Sequence, residues 1–277
     1  MNRLLILDSA RAIAALAVVI YHFSYRYTEL YYPEFLPSIA FLYNFKYGVE
    51  FFFIISGFVI FWSVELGKSK LDFVKSRFIR LYPIYALMLT FSFIMVSAFG
   101  LEGREVELHE FALNFLMFHD YLGIKHVDGV YWSLAVELNF YFSFLFFLYF
   151  KKIEGIKYFL LILSCVGLID ELEILSLPSE LLLISISKYA IYFLFGVISY
   201  ELKFKEKSLS LCCLLFIVLI ALSLLACSKG SIMPLFVILL FGWLLKFEPK
   251  ILITPLLLTL GSSSYVFNSS KHRIYYY

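Results

Sequence analysis

Between Leu4 and Phe23 the chain runs LLILDSARAIAALAVVIYHF, long and apolar enough to cross a bilayer, yet it carries Asp8, Arg11 and His22. At about 100° per residue, the eleven positions from Arg11 to His22 make three turns plus about 20°, so the two side chains share a helix face about 16 Å apart along the axis. A lone helix in lipid does not carry such a stripe cheaply. The stretch therefore predicts a polyhelical protein with a polar interior and chemistry in that interior.

The rest of the sequence agrees. Of 277 residues 62% are hydrophobic, 20% aromatic and 16% charged, against about 45–50% apolar and about 25% charged in soluble domains. Apolar runs near twenty residues recur along the whole length, which predicts an all-α, polytopic transmembrane helical bundle. With two charges inside it and no small-x-small site after it, the first run is read as a retained span rather than a cleaved signal. Cys165, Cys212, Cys213 and Cys227 lie in or at the ends of apolar stretches, without zinc-site or CxxC spacing, so no metal site and no disulfide is expected. Walker, Rossmann and GxSxG patterns are absent, and nothing points to nucleic acid.

About nine spans are expected: 4–24, 46–64, 82–99, 130–150, a short one at 158–169, 181–200, 208–227, 231–245, and a last one starting near Ile251. Tyr25 to Asn44, with Pro33 and Pro37, reads as an interfacial loop. The apolar piece FALNFLMF inside 100–129 is too short to cross. With the N-terminus in the cytoplasm, the inside segments carry Arg3, Lys68, Lys70, Lys75, Arg77, Arg80, Lys151, Lys152, Lys157, Lys203, Lys205, Lys207, Lys246 and Lys250. The outside loops carry only Arg26, Lys46, Arg104, Lys125 and Lys229. That bias predicts an N-inside orientation.

In this topology His22, Glu50 and Glu137 can converge toward the outer half of the bilayer, with Arg11 deeper. A histidine polarised by a carboxylate is a general base suited to deprotonating a sugar hydroxyl. Blander readings stand beside this one. His22 can be packed by Tyr21 and Tyr25, Glu50 can sit at headgroup level, and Glu137 can form a structural salt bridge with Arg11 or Lys188. Arg77 and Arg80, at i and i+3, share a face near the cytoplasmic boundary; they satisfy the positive-inside bias or clamp the phosphates of an anionic donor such as an acyl thioester of coenzyme A. The 100–129 segment, with His109, His119, His126 and Asp128, is the expected acceptor-facing loop. An acyl-transferring enzyme and a proton-coupled transporter both fit these residues.

Four motifs in order carry a resemblance. LDSARAIAALAVVIYHF holds Arg11 and His22; YGVEFFFIISGFVIF holds Glu50; SRFIRLYPIY holds Arg77 and Arg80; DGVYWSLAVELNFYF holds Trp132, Ser133 and Glu137. Together, over about residues 4–265, they resemble the acyltransferase 3 family of bacterial integral membrane O-acyltransferases. The resemblance implies a multi-pass protein of the cytoplasmic (inner) membrane. It implies an acyl-CoA donor, acetyl-CoA by default, used from the cytoplasmic side, with no metal. It also implies a hydroxyl acceptor on a surface polysaccharide, lipopolysaccharide or lipid-linked sugar. On this reading His22 is the base, Glu50 or Glu137 orients it, and Arg11, Arg77 and Arg80 serve the donor. The alternatives are a flippase for a glycan or acyl carrier and a non-catalytic membrane subunit. Family members usually have ten spans, whereas here LGSSSYVF breaks into NSSKHRIYYY. Residues 1–265 are therefore expected to form the acyltransferase-like domain and 266–277 an atypical tail, with the chain truncated or altered after about Tyr265 and poorly active as a result.

Overall fold

The computed structural model describes residues 4–67, 69–100, 105–171, 186–205 and 233–262, and among these the regular elements are helical. They are α1 (Leu5–Ile20), α2 (Gly48–Glu65), α3 (Lys70–Phe99), α4 (Leu108–Asn114), α5 (Trp132–Tyr149), α6 (Gly155–Glu171), α7 (Ser187–Phe204), α8 (Met233–Phe247) and α9 (Pro255–Ser262), with shorter helical turns between some of them. Among the described residues four helical runs are long and apolar enough to cross a membrane: Leu5–Tyr31, Pro33–Glu65, Lys70–Phe99 and Gly129–Tyr149. The protein is a multi-pass, all-α membrane protein. The expected span at 208–227 lies outside the described residues, as does the end of the last one.

Three expectations change. The stretch read as an interfacial loop is helical almost throughout: Tyr21–Arg26 is π-helical, Tyr27–Tyr31 returns to α, and after Tyr32 short turns cover Pro33–Phe35, Leu36–Ile39 and Ala40–Tyr47. Pro33 and Pro37 fall in the first two positions of such turns, where the missing N–H has no helical acceptor to lose. The third span begins at Lys70 rather than 82. Ser69 caps it by accepting from the Asp72 N–H at 3.1 Å, so the basic segment is the first part of a single 30-residue helix that continues through Pro83. That helix stops at Gly100, whose φ of 59° is the left-handed conformation of a helix terminus. The sixth span, expected to end at 200, continues to Phe204.

The chain divides into two units. The first holds α1, α2, α7, α8, α9 and the body of α6; the second holds Gly67–Ile156 with α3, α4 and α5. At the heart of the first unit, α2 packs on α7. A Cβ at Gly57 would strike the Phe193 carbonyl oxygen, and one at Gly196 would strike that of Ile54, so only glycine allows this backbone approach. Around it Phe53 meets Phe193 at 4.8 Å, Phe61 meets Tyr200 at 5.5 Å and Phe51 meets Phe241 of α8 at 5.8 Å. Beyond this core, ion pairs tie the helix ends: Lys157–Glu201 at 2.8 Å, Lys205–Glu65 at 2.9 Å, and Lys203–Glu248.

In the second unit the 105–131 segment packs along α3. Tyr85 and Leu89 are buried with Met117, Val127 and Tyr131. Tyr85 donates its hydroxyl to the Asn114 carbonyl at 2.6 Å. The buried Asn114 amide donates to the carbonyls of Glu110 (2.8 Å) and Lys125 (3.0 Å) and accepts from the Val127 N–H (3.2 Å). One side chain thus satisfies three backbone groups of a segment that has few of its own hydrogen bonds.

Candidate active site

Two polar clusters emerge, one in each unit. In the first, Arg11 is 3% exposed and pairs with Asp8, one turn earlier on α1, at 3.3 Å. A carboxylate for Arg11 thus comes from its own helix rather than from Glu137 alone, the acid weighed for it from the sequence. The end of α9 lies against this turn: a Cβ at Gly261 would collide with the Asp8 carbonyl oxygen, so only glycine allows this backbone approach.

Eleven residues on, His22 lies half-buried just inside the π-helical segment, with the Tyr21 ring edge-on at 5.1 Å. Regular α-helix holds as far as Ile20, so the phase relating His22 to Arg11 survives almost to the histidine. A π-segment widens the helix locally and is frequent at functional sites. Tyr21 stacks on Tyr25 at 5.9 Å, and both reach Tyr43, at 6.4 and 5.2 Å. Lys46 Nζ sits 3.7 Å over the Tyr43 ring and hydrogen-bonds to the Tyr43 hydroxyl. The head of α2 rests on the α1 turn that separates Arg11 from His22, since Gly48 abuts Ala14, Ala17 and Val18. Glu50 follows in the first turn of α2. Its Oε2 is buried without a hydrogen-bond partner among the described residues, and Lys46 and Lys188 are the cations within electrostatic reach. His22 and Glu50 thus stand on neighbouring helices, with tyrosines and Lys46 around them. An imidazole and a carboxylate so placed can take up and hold a proton.

The second unit gathers Arg77, Arg80 and Glu137. Arg77 and Arg80 are one turn apart on α3, Arg77 buried and Arg80 half-buried. The Arg77 guanidinium carbon lies 5.6 Å from the Phe73 ring and 5.5 Å from the Tyr141 ring, which is cation–π distance on both. Tyr141 donates its hydroxyl to Glu137 Oε1, one turn back on α5, and lies within electrostatic reach of Arg80 and Arg77. Glu137 therefore sits in one polar group with the two arginines. Trp132 and Ser133 open α5 behind an Asp128 cap, which accepts from the Val130 N–H at 3.3 Å. A cavity of about 260 Å³ lies between α3, α5 and Leu116–Phe118, with Arg77 and Tyr141 in its wall. In the 105–131 segment His119 Nε2 and His126 Nδ1 are 2.7 Å apart, while His109 is exposed beside Glu107.

Three participants were not singled out as site residues by sequence reasoning: Asp8, Lys46 and Tyr141. Each had a local signal. Asp8 is three residues before Arg11, Lys46 four before Glu50, and Tyr141 four after Glu137, the spacings at which helical side chains meet.

The family model described as the acyltransferase domain matches residues 4–267. Over 118 residues the chain is 32% identical to protein 2 in the picA locus of Rhizobium radiobacter. That match takes in 39% of this chain and 55% of the other, so the chain spans about half the length of this curated relative. No solved structure matches. The chain belongs to the acyltransferase 3 family.

Proposed function

We propose that this protein transfers an acyl group from an acyl-CoA, bound from the cytoplasm, to a hydroxyl of a surface polysaccharide, lipopolysaccharide or lipid-linked sugar. It does so from the bacterial cytoplasmic membrane, with its N-terminus inside. On this reading residues 1–265 are the catalytic domain and 266–277 an atypical tail in sequence. The acceptor hydroxyl gives its proton to His22 as its oxygen bonds to the thioester carbonyl carbon. The carbon–sulfur bond then breaks, and the departing thiolate takes up the proton. Glu50 supports the positive charge that His22 acquires. Arg77 and Arg80 engage the phosphates of the donor, where guanidinium forks match phosphate oxygens. Glu137, through Tyr141, sets the charge beside those arginines. Arg11, paired with Asp8, keeps the polar face of α1 in place.

The observation that carries this reading is the setting of His22: a half-buried imidazole in a π-helical turn, in the same unit as a buried carboxylate and in a chain of an acyltransferase family. The test is mass spectrometry of surface glycans from cells with and without the gene, and from cells carrying H22A or R77A/R80A at equal membrane levels. The ester-bearing species should vanish without the gene and in both variants. Esters retained in both variants would refute the residue roles. Glycan relocation without any new ester would favour a flippase.

A further inference from the structure

In the first unit α1 and α7 meet opposite sides of α2. Gly48 abuts α1 and Gly57 abuts α7, and nine residues at about 100° each leave these two glycines half a turn apart. Glu50, seven residues before Gly57, is within about 20° of the face that meets α7. Residue numbers rise together along that face: Phe53 meets Tyr189 at 5.3 Å, Gly57 abuts Phe193, and Phe61 meets Tyr200 at 5.5 Å. The two helices therefore run parallel, with their first turns side by side. Glu50 stands in the first turn of α2 and Lys188 in the first turn of α7, exposed and within electrostatic reach of the carboxylate.

This order sets an imidazole just beyond α1, a carboxylate on α2 and an ammonium on α7. The Lys188 Nζ lies 5.9 Å from the centre of the Tyr189 ring, a contact that places an ammonium without cancelling its charge. The N-termini of two parallel helices add partial positive charge at the same end. A carboxylate buried without counter-charge takes up a proton and becomes neutral, and a neutral acid gives an imidazolium no support. Resting on the reading of His22 as the base and Glu50 as its support, we infer that Lys188 is a positioning residue for acyl transfer: from the α7 side it holds Glu50 in its charged form, which leaves the negative end of the pair toward α1 and His22. Lys46 is placed differently. It is held by the ring and hydroxyl of Tyr43, among the tyrosines packed at His22, so its charge acts on imidazole and carboxylate together.

The experiment uses the full chain expressed in cells, with the rate of ester accumulation on surface glycans after induction read by mass spectrometry per unit of protein in the membrane. Lys188→Met should slow accumulation about two- to fivefold, less than Glu50→Gln does, because solvent screens an exposed lysine. Lys188→Arg keeps the charge and should stay within about twofold of the wild-type rate. In a Glu50→Gln background Lys188→Met should cost nothing further, a result that a merely structural lysine does not give. Since Lys188 is exposed, its variants should reach wild-type membrane levels, and Lys188→Gln repeats the test if Lys188→Met is depleted. A wild-type rate in Lys188→Met, a Lys188→Arg variant as slow as Lys188→Met, or a double variant slower than Glu50→Gln by the full factor of the single change overturns the inference. Esters lost in His22→Ala but unchanged in Lys188→Met leave the acyl-transfer reading standing and remove only the role of Lys188. Esters retained in His22→Ala refute the base, and the role of Lys188 falls with it.

Discussion

The two ends of α2 treat charge in opposite ways. At the last turn Glu65 meets Lys205 at 2.9 Å, inside a set where Lys157 meets Glu201 at 2.8 Å and Lys203 meets both Glu248 and the Leu245 carbonyl. Four helices, α2, α6, α7 and α8, are tied there by side chains of opposite charge. At the first turn Glu50 has an Oε2 buried with no hydrogen-bond partner among the described residues, and its cations act at a distance. The difference separates structure from chemistry. A carboxylate within hydrogen-bond reach of an ammonium is fixed in place and holds helices together. One whose oxygen is left unmatched raises the free energy of the fold and persists where something else requires it.

The largest effect expected lies at the Glu50 end. His22→Ala removes the proposed base, and acyl transfer measured on membranes containing equal amounts of protein should fall about 10²- to 10⁴-fold, the range for a general base. A loss below about threefold would make that end structural like the other and erase the contrast. Next comes Glu201→Gln. Glu201 is 4% exposed and pairs with Lys157 at 2.8 Å, so the variant leaves a nearly buried ammonium facing a neutral amide in place of its counter-charge. Breaking such a pair costs about 3 kcal/mol, read as a lowered unfolding midpoint in detergent, with activity per folded molecule unchanged.

Glu50→Gln should behave in the reverse way. Activity should drop about tenfold, as expected for loss of a group that only supports the base. The unfolding midpoint should hold or rise, because an amide is less costly to bury than an unmatched carboxylate. If both glutamine variants lost stability and kept activity, the two ends of α2 would be alike.

How much of this contrast is legible in the sequence follows from what periodicity encodes. The apolar runs of α1 and α2 are legible from length and hydropathy and the shared face of Arg77 and Arg80 from 3.6-residue spacing, and helices are observed at all three. The π-helical turn at Tyr21–Arg26 has no period of its own within six residues, so Tyr25–Asn44 reads as a loop until the backbone is seen. Lys157, Lys203 and Lys205 read only as cytoplasmic charge, because charge bias reports a side of the membrane and no partner. Their acids stand 44 positions away for Lys157 and 45 for Lys203, a separation that tertiary packing sets and local pattern does not. Glu137 is an intermediate case. Its burial among apolar residues marks it as functional or paired, but its neighbours on α3 come from the packing of α3 on α5.

The smallest effect tests whether exposure, rather than the mere presence of an ion pair, grades the structural end. Lys203 contacts Glu248, and their side chains are 22% and 42% exposed, against 11% and 5% for Lys157 and Glu201. Water competes for the more exposed pair, and salt screens it, so its contribution is expected to stay below about 1 kcal/mol. Lys203 also donates to the Leu245 carbonyl at 2.9 Å, at the last turn of α8, where a cation complements the helix dipole. Lys203→Ala should therefore lower the unfolding midpoint slightly, and half a molar salt should remove most of the difference from wild type. A loss as large as that of Glu201→Gln, or one insensitive to salt, would mean that the α7–α8 tie is as buried in the assembled protein as the α6–α7 tie, and that this end of α2 is drier than the exposures of its side chains indicate.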